Sequence, residues 1–204
     1  MKQIPYGRQS ISKKDLNEVV KSLSNDLITT GPYVKKFENL IKKTLKVKFA
    51  LTCTSGTAAL HLAFMSINLK KEDVIILPII NFIAASNLAS MLQAKIYYAD
   101  VCPNTGQMTP ETLEACVKKN MLKNIKAVVT MYLGGNPDNI KNFYYLKKKY
   151  KFYLLEDACH ALGSKYIYNG KIYNVGCCMH SDICIFSLHP LKTITSGEGG
   201  IVAT

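Results

Sequence analysis

The chain has 204 residues, of which 48% are hydrophobic and 20% charged, so it can build a sizeable core and is too apolar to be a disordered chain. Its net charge of +12 comes from 26 basic residues against 14 acidic ones. Arg8 is the only arginine, and the lysines lie scattered in short clusters such as Lys147, Lys148 and Lys149, which argues against a nucleic-acid partner and for a solvated surface that at most steers an anionic substrate.

The first predicted element follows Ser12, where Ser12 and Asp15 have the spacing of a capping box. A turn at Thr30-Gly31-Pro32 leads into a second helix, with Pro32 in its first turn and Val34, Phe37, Ile41 and Leu45 on its apolar face. From Lys48 onward the chain alternates. Strand-like runs are FALTCT, VIILP, KIYYAD, AVVTMY, FYLLED, DICIFSL and GGIVAT. Helix-like runs are GTAALHLAFMSI, FIAASNLASMLQ, PETLEACVKKN and NIKNFYYLKKKY. This alternation predicts a three-layer α/β/α fold around a mostly parallel seven-stranded sheet. YIYNGKIY, with Asn169-Gly170 at its centre, reads as a separate hairpin. We divide the chain into an N-terminal helical segment, 1–47, and a large domain, 48–204. The sequence stops at Thr204, just after the seventh strand-like run, and a truncated or split protein is the expectation.

Seven cysteines without a CxxC pair give no metal spacing and suit reduced thiols. The opening MKQIPYGRQS has no apolar h-region, and no apolar run is long enough to span a bilayer. The expectation is a cytoplasmic protein with no membrane partner.

Open α/β sheets bind ligands at the carboxyl ends of their strands, and the chemically interesting residues follow strands here. Ser55-Gly56-Thr57 opens a helix after the first strand. Free N–H groups and the helix dipole there favour phosphate, although a plain N-cap reads the same. Phe82 follows the second strand and could stack on a flat ring or belong to the core. Asp157 ends YLLED, where a carboxylate needs a partner; an N-cap is the bland alternative. His160 follows, and a structural histidine reads the same. Ser187 ends DICIFS, and Lys192 follows in SLHPLK, before the turn SGEGG. A strand-end lysine and aspartate are the pair that pyridoxal phosphate (PLP) requires: an amine for its aldehyde and a carboxylate for its ring nitrogen. One surface lysine in a lysine-rich chain is the competing reading, and the ordered set weighs against it. No GxxxxGK or GxGxxG is present.

With these motifs in order, the chain resembles the DegT/DnrJ/EryC1/StrS family of PLP-dependent nucleotide-sugar aminotransferases. TTGPYVKKFE, TSGTAALHLA, EDACHALGS and FSLHPLKTITSGEGG carry the resemblance, which runs from IPYGRQSISKKDLNEVV to GEGGIVAT. It implies the large domain of PLP-dependent transferase fold type I, with the family's small C-terminal domain absent from this chain. It also implies catalytic roles for Lys192, Asp157 and His160. Lys192 would bond the cofactor and then move the proton, Asp157 would pair with the pyridine nitrogen, and His160 would lie near the ring. Phe82 would stack on that ring, and Ser55, Gly56, Thr57 and Ser187 would hold the phosphate. PYGRQSI, ACHALGS and SLHPLK followed by TSGEGG resemble the branch of the pseudaminic acid pathway. That branch implies L-glutamate as amino donor, C4 of a UDP-linked 4-keto-6-deoxy sugar as acceptor, and a homodimer in full-length form. Cys159 departs from the small residue, such as alanine, common in the family. Family members that are sugar dehydratases lack the lysine, so Lys192 argues against that chemistry. Another nucleotide-sugar aminotransferase of the family, perosamine-type or 3-amino sugar, is the alternative within it, and an inactive truncated remnant acting at most as a binding module is the reading from another class.

Overall fold

A computed structural model describes residues 4, 5 and 7–204; Met1–Gln3, and Tyr6 within the PYGRQSI run, lie outside the described residues. Helix α1 (Lys13–Leu23) starts at the expected capping box. The Asp15 N–H donates to Ser12 Oγ, and the Ser12 N–H donates to the Asp15 carboxylate at 2.7 Å. None of its residues is buried. Helix α2 (Pro32–Leu45) has Pro32 in its first turn. Ile41 and Leu45 are buried, Phe37 is half-buried and Val34 is exposed. The helix therefore meets the sheet through its C-terminal half, beside β1.

The alternating segments follow in order: β1 (Ala50–Cys53), α3 (Gly56–Ser66), β2 (Val74–Pro78), α4 (Ala84–Met91), β3 (Lys95–Ala99), α5 (Pro110–Lys119), β4 (Ile125–Met131), α6 (Ile140–Tyr150) and β5 (Tyr153–Asp157). The hairpin β6 (Lys165–Tyr168) and β7 (Lys171–Asn174) comes next, then β8 (Ile183–Ser187) and β9 (Gly200–Ala203). The hairpin forms its own two-stranded sheet and turns at Asn169-Gly170, both with positive φ as a primed turn requires.

The seven strand-like runs pair into one sheet of order β1-β9-β8-β5-β4-β2-β3. Strands β3, β2, β4, β5 and β8 are successively parallel, and β9 runs antiparallel to both β8 and β1. Reversing at β9 gives β1 the same direction as the parallel five. Six strands thus end along one edge.

Apolar side chains of both faces drive the layering. One face packs Ile75, Leu77, Val129, Leu155 and Ile185 under α3 and α4. The opposite face packs Ile76, Val128 and Leu154 under α5 and α6, and Phe186 and Ile201 under α2 and the hairpin. Lys147 of α6 pairs with Asp182 at 2.6 Å, and Asp182 also accepts the Leu154 N–H at 2.8 Å, which ties α6 and the entry to β8 onto β5. Among the described residues no helix is long and apolar enough to cross a membrane, and no cluster of His, Cys, Asp and Glu could hold a metal ion.

Candidate active site

The strand edge opens into a cleft of about 600 Å³ whose walls include Ser55, Gly56, Thr57, Phe82, Asp157, His160, Ser187 and Lys192. All eight residues singled out from the sequence therefore meet in one place, although they come from four separate strand ends.

The first wall is the start of α3. Ser55 is its N-cap, and Ser55 Oγ accepts the Ala58 N–H at 3.1 Å. That hydroxyl is committed as an acceptor and has only its hydrogen left to give. No acceptor among the described residues takes the N–H of Gly56 or Thr57, so two free donors and the helix dipole face the cleft. Gly56 is required by space: a Cβ there would stand 3.0 Å from Ser187 Cβ and 3.2 Å from Cys159 Sγ. Ser187 Oγ accepts the His189 N–H at 3.3 Å and lies beside that same glycine. Gly200 of SGEGG has a similar reason. A Cβ on Gly200 would sit 2.1 Å from the Ser55 carbonyl oxygen, so only glycine lets β9 approach the turn after β1. The corner built from Gly56, Thr57 and Ser187 suits an anion such as phosphate.

Asp157 closes β5 at the cleft floor and is 5% exposed. Its Oδ1 accepts the Cys159 N–H at 3.1 Å. Burial raises its pKa, while hydrogen bonds from Cys159 and the positive charge of Lys192 pull the other way. A buried carboxylate with so few partners calls for a cationic N–H donor. The Cys159 thiol is itself pushed far above its ordinary range by burial and by Asp157, so it stays protonated. His160 is half-buried, and its pKa is lowered first by burial and then by Lys192, with Asp157 opposing, which keeps the ring neutral near pH 7. Lys192 closes a turn through its N–H to the His189 carbonyl at 2.9 Å and has no salt-bridge partner among the described residues.

Phe82 stands in the loop before α4, 64% exposed, rather than inside the helix that the run FIAASNLASMLQ suggested or in the core. Its ring borders the cleft. Sequence reasoning passed over Asn81, Met131, Leu133, His189, Leu191 and Glu198, which also line it. His189 directly follows the predicted run DICIFSL and Met131 lies near the end of AVVTMY, the one signal that would have raised them.

Known proteins resemble the chain along nearly its whole length. It is 37% identical over 98% of its length to the UDP-4-amino-4,6-dideoxy-N-acetyl-beta-L-altrosamine transaminase of Campylobacter jejuni strain 81-176, covering 51% of that protein. It is 33% identical over its whole length to the GDP-perosamine synthase of Escherichia coli O157:H7, covering 54% of it. Among solved structures, Helicobacter pylori PseC, an aminotransferase involved in the biosynthesis of pseudoaminic acid, superimposes with a TM-score of 0.88 at 28% identity, over 100% of this chain and 52% of that one. The chain spans about half the length of the curated relatives it matches. The shared fold is the large domain of the type I PLP-dependent transferases. With residues 9–204 matching the family model, the chain belongs to the DegT/DnrJ/EryC1/StrS aminotransferase family.

Proposed function

We propose that the cleft holds pyridoxal phosphate and that the chain carries the cofactor-binding large domain of a nucleotide-sugar aminotransferase. Aminotransferases of this family use that cofactor, which when bound supplies the electron sink for moving an amino group between an amino acid and a keto group. The observation that carries the reading is the convergence of an anion corner, a buried carboxylate, an unpaired lysine and an exposed aromatic ring on one cleft.

The residues fit the group. The Gly56 and Thr57 N–H groups, with the Ser55, Thr57 and Ser187 hydroxyls, bind its phosphate. The space that a Cβ on Gly56 would take stays open beside Ser187. The Asp157 carboxylate would hold a proton on the ring nitrogen and gain the cationic partner its burial demands. Phe82 would offer an aromatic face to the ring, and neutral His160 one hydrogen bond in the cleft. The Lys192 amine would hold the cofactor aldehyde and, when free, would carry the proton that must move during amino transfer.

For substrates, the reading takes L-glutamate as donor and C4 of a UDP-linked 4-keto-6-deoxy-N-acetyl hexose as acceptor, supported by the Campylobacter relative. The GDP-perosamine synthase relative keeps a GDP-linked 4-keto sugar as the second choice. A homodimer fits the exposed Leu16, Val19, Val20 and Leu23 of α1. Seven free cysteines fit a reducing cytoplasm.

The test is direct. Purified protein mixed with PLP should gain visible absorbance, and borohydride should fix the cofactor to Lys192, as read by peptide mapping. Fixation on another lysine would overturn the assignment. Turnover with glutamate and either a UDP- or a GDP-linked 4-keto sugar then separates the two substrate readings.

A further inference from the structure

A second carboxyl is buried directly behind the cleft. Strand alternation sends Asp157 to the face of the cleft and Glu156 to the opposite face. Glu156 is 1% exposed, deeper than Asp157, and no salt bridge among the described residues reaches it. Neither of its oxygens has a partner at hydrogen-bonding distance, and the buried hydroxyls of Tyr132 and Ser181 are equally unpartnered. These four orphan atoms form one cluster, because Tyr132, Ser181, the Cys184 thiol and the Gly176 N–H all face the Glu156 carboxyl.

The titratable groups turned toward it are Tyr132 beyond β4, Tyr166 on β6, Cys178 after β7 and Cys184 on β8, with Asp157 next to it on its own strand. Burial holds the first four protonated. On this side α2 adds Ile41 and Leu45, which are apolar. An anion in such surroundings is costly. Burial accordingly pushes the Glu156 pKa up to about 7, against help from its hydroxyl and thiol neighbours.

The elements that meet at Glu156 are the ones that carry the cleft. The Tyr132 N–H donates to the Asp157 carbonyl at 3.2 Å, and the Ala158 N–H donates to the Ile185 carbonyl at 2.9 Å. Ser181 and Cys184 lead along β8 to Ser187.

We propose that Glu156, as a neutral acid, is a positioning residue that joins the ends of β4 and β5 to the start of β8 from behind and so fixes the backbone from which Asp157 faces the cleft. Only its binding readout rests on the cofactor reading given above. Ionisation puts an uncompensated charge at the junction, so strand order and cofactor affinity follow one titration.

The experiment compares wild type, Glu156→Gln and Glu156→Leu as full chains, from about pH 5 to about pH 8. It measures thermal unfolding without cofactor, amide exchange at Asp157–Cys159, and PLP affinity by absorbance titration. The native pKa exceeds the unfolded one, so wild type should lose stability as pH rises through the interval up to about 7. Glu156→Gln, a neutral hydrogen-bonding side chain, should make that profile shallower, leaving the part that belongs to Asp157, and keep exchange protection and PLP affinity. Glu156→Leu should make it shallower too, yet lose protection at Asp157–Cys159 and bind PLP about tenfold more weakly. Equal protection in the Gln and Leu variants, or a Gln profile as steep as that of wild type, overturns the proposal. If no variant binds PLP, the cofactor reading falls, and the unfolding and exchange data decide the role of Glu156 alone.

Discussion

Gly56 and Ser187 meet across the cleft floor so closely that a Cβ on the glycine would come within 3.0 Å of Ser187 Cβ. The close approach joins the start of α3 to the end of β8. Gly56→Ala should displace Ser187 and cost about 1–3 kcal/mol of stability as overpacking. PLP affinity should fall with it, measured by absorbance titration beside urea unfolding. Unchanged affinity would mean that the glycine serves packing alone.

Asp157→Asn separates stability from function. The buried carboxylate has a raised pKa, so the native state keeps its proton to higher pH than the unfolded chain does. Its ionisation therefore costs stability as pH climbs from the ordinary Asp range toward the raised value. Cofactor-free Asp157→Asn should lack that loss and melt at or above the wild-type temperature at neutral pH. Its transamination should drop by about 10²-fold or more, because the amide cannot hold a proton on the ring nitrogen as a carboxylate does. Calorimetry without cofactor and single-turnover amino transfer check the two halves.

Lys192→Ala should retain PLP binding, since the anion corner at Gly56 and Thr57 lies on a different element. On the proposed function, amino transfer from glutamate should fall by about 10²–10⁴-fold. Borohydride should no longer fix the cofactor to the protein. A variant that still turns over would contradict the role of Nζ.

Asp182→Ala removes an acceptor shared by Lys147 at 2.6 Å and the Leu154 N–H at 2.8 Å. The orphaned N–H of a core strand should cost about 1–3 kcal/mol. Asp182→Asn, which keeps one acceptor oxygen, should recover part of it in denaturant titrations.

The strands could be read from the chain because each is a short apolar run broken by a helix-period segment; their order could not, since β4 skips β3 to pair with β2 and leaves β3 at the edge. Asp157, Ser187 and Lys192 were legible as polar residues just past apolar runs. Glu156 was not, although it stands beside Asp157. Its environment is built by Tyr132, Gly176, Ser181 and Cys184, brought together only by the fold, and a carboxyl one place earlier in a strand looks like the same strand end. Phe82 was half legible. Its run has helical periodicity, but the residue that caps α4, Ile83, offers no side-chain acceptor, and the chain bends before the helix begins. Cys159 read only as a departure from the family's usual small residue, yet its N–H donates to the buried Asp157 carboxylate.

The antiparallel β9 sets the order in which this domain can mature. Among the described residues β1 pairs with β9 alone. Strand β1, which leads into Ser55, Gly56 and Thr57, is synthesised before β9 and must wait for it before it joins the sheet. Its contacts are long in sequence, and such pairings form slowly. During synthesis the β1–α3 unit keeps an unpaired edge that invites wrong partners. The anion corner is thus made before the strand that locks it into the sheet.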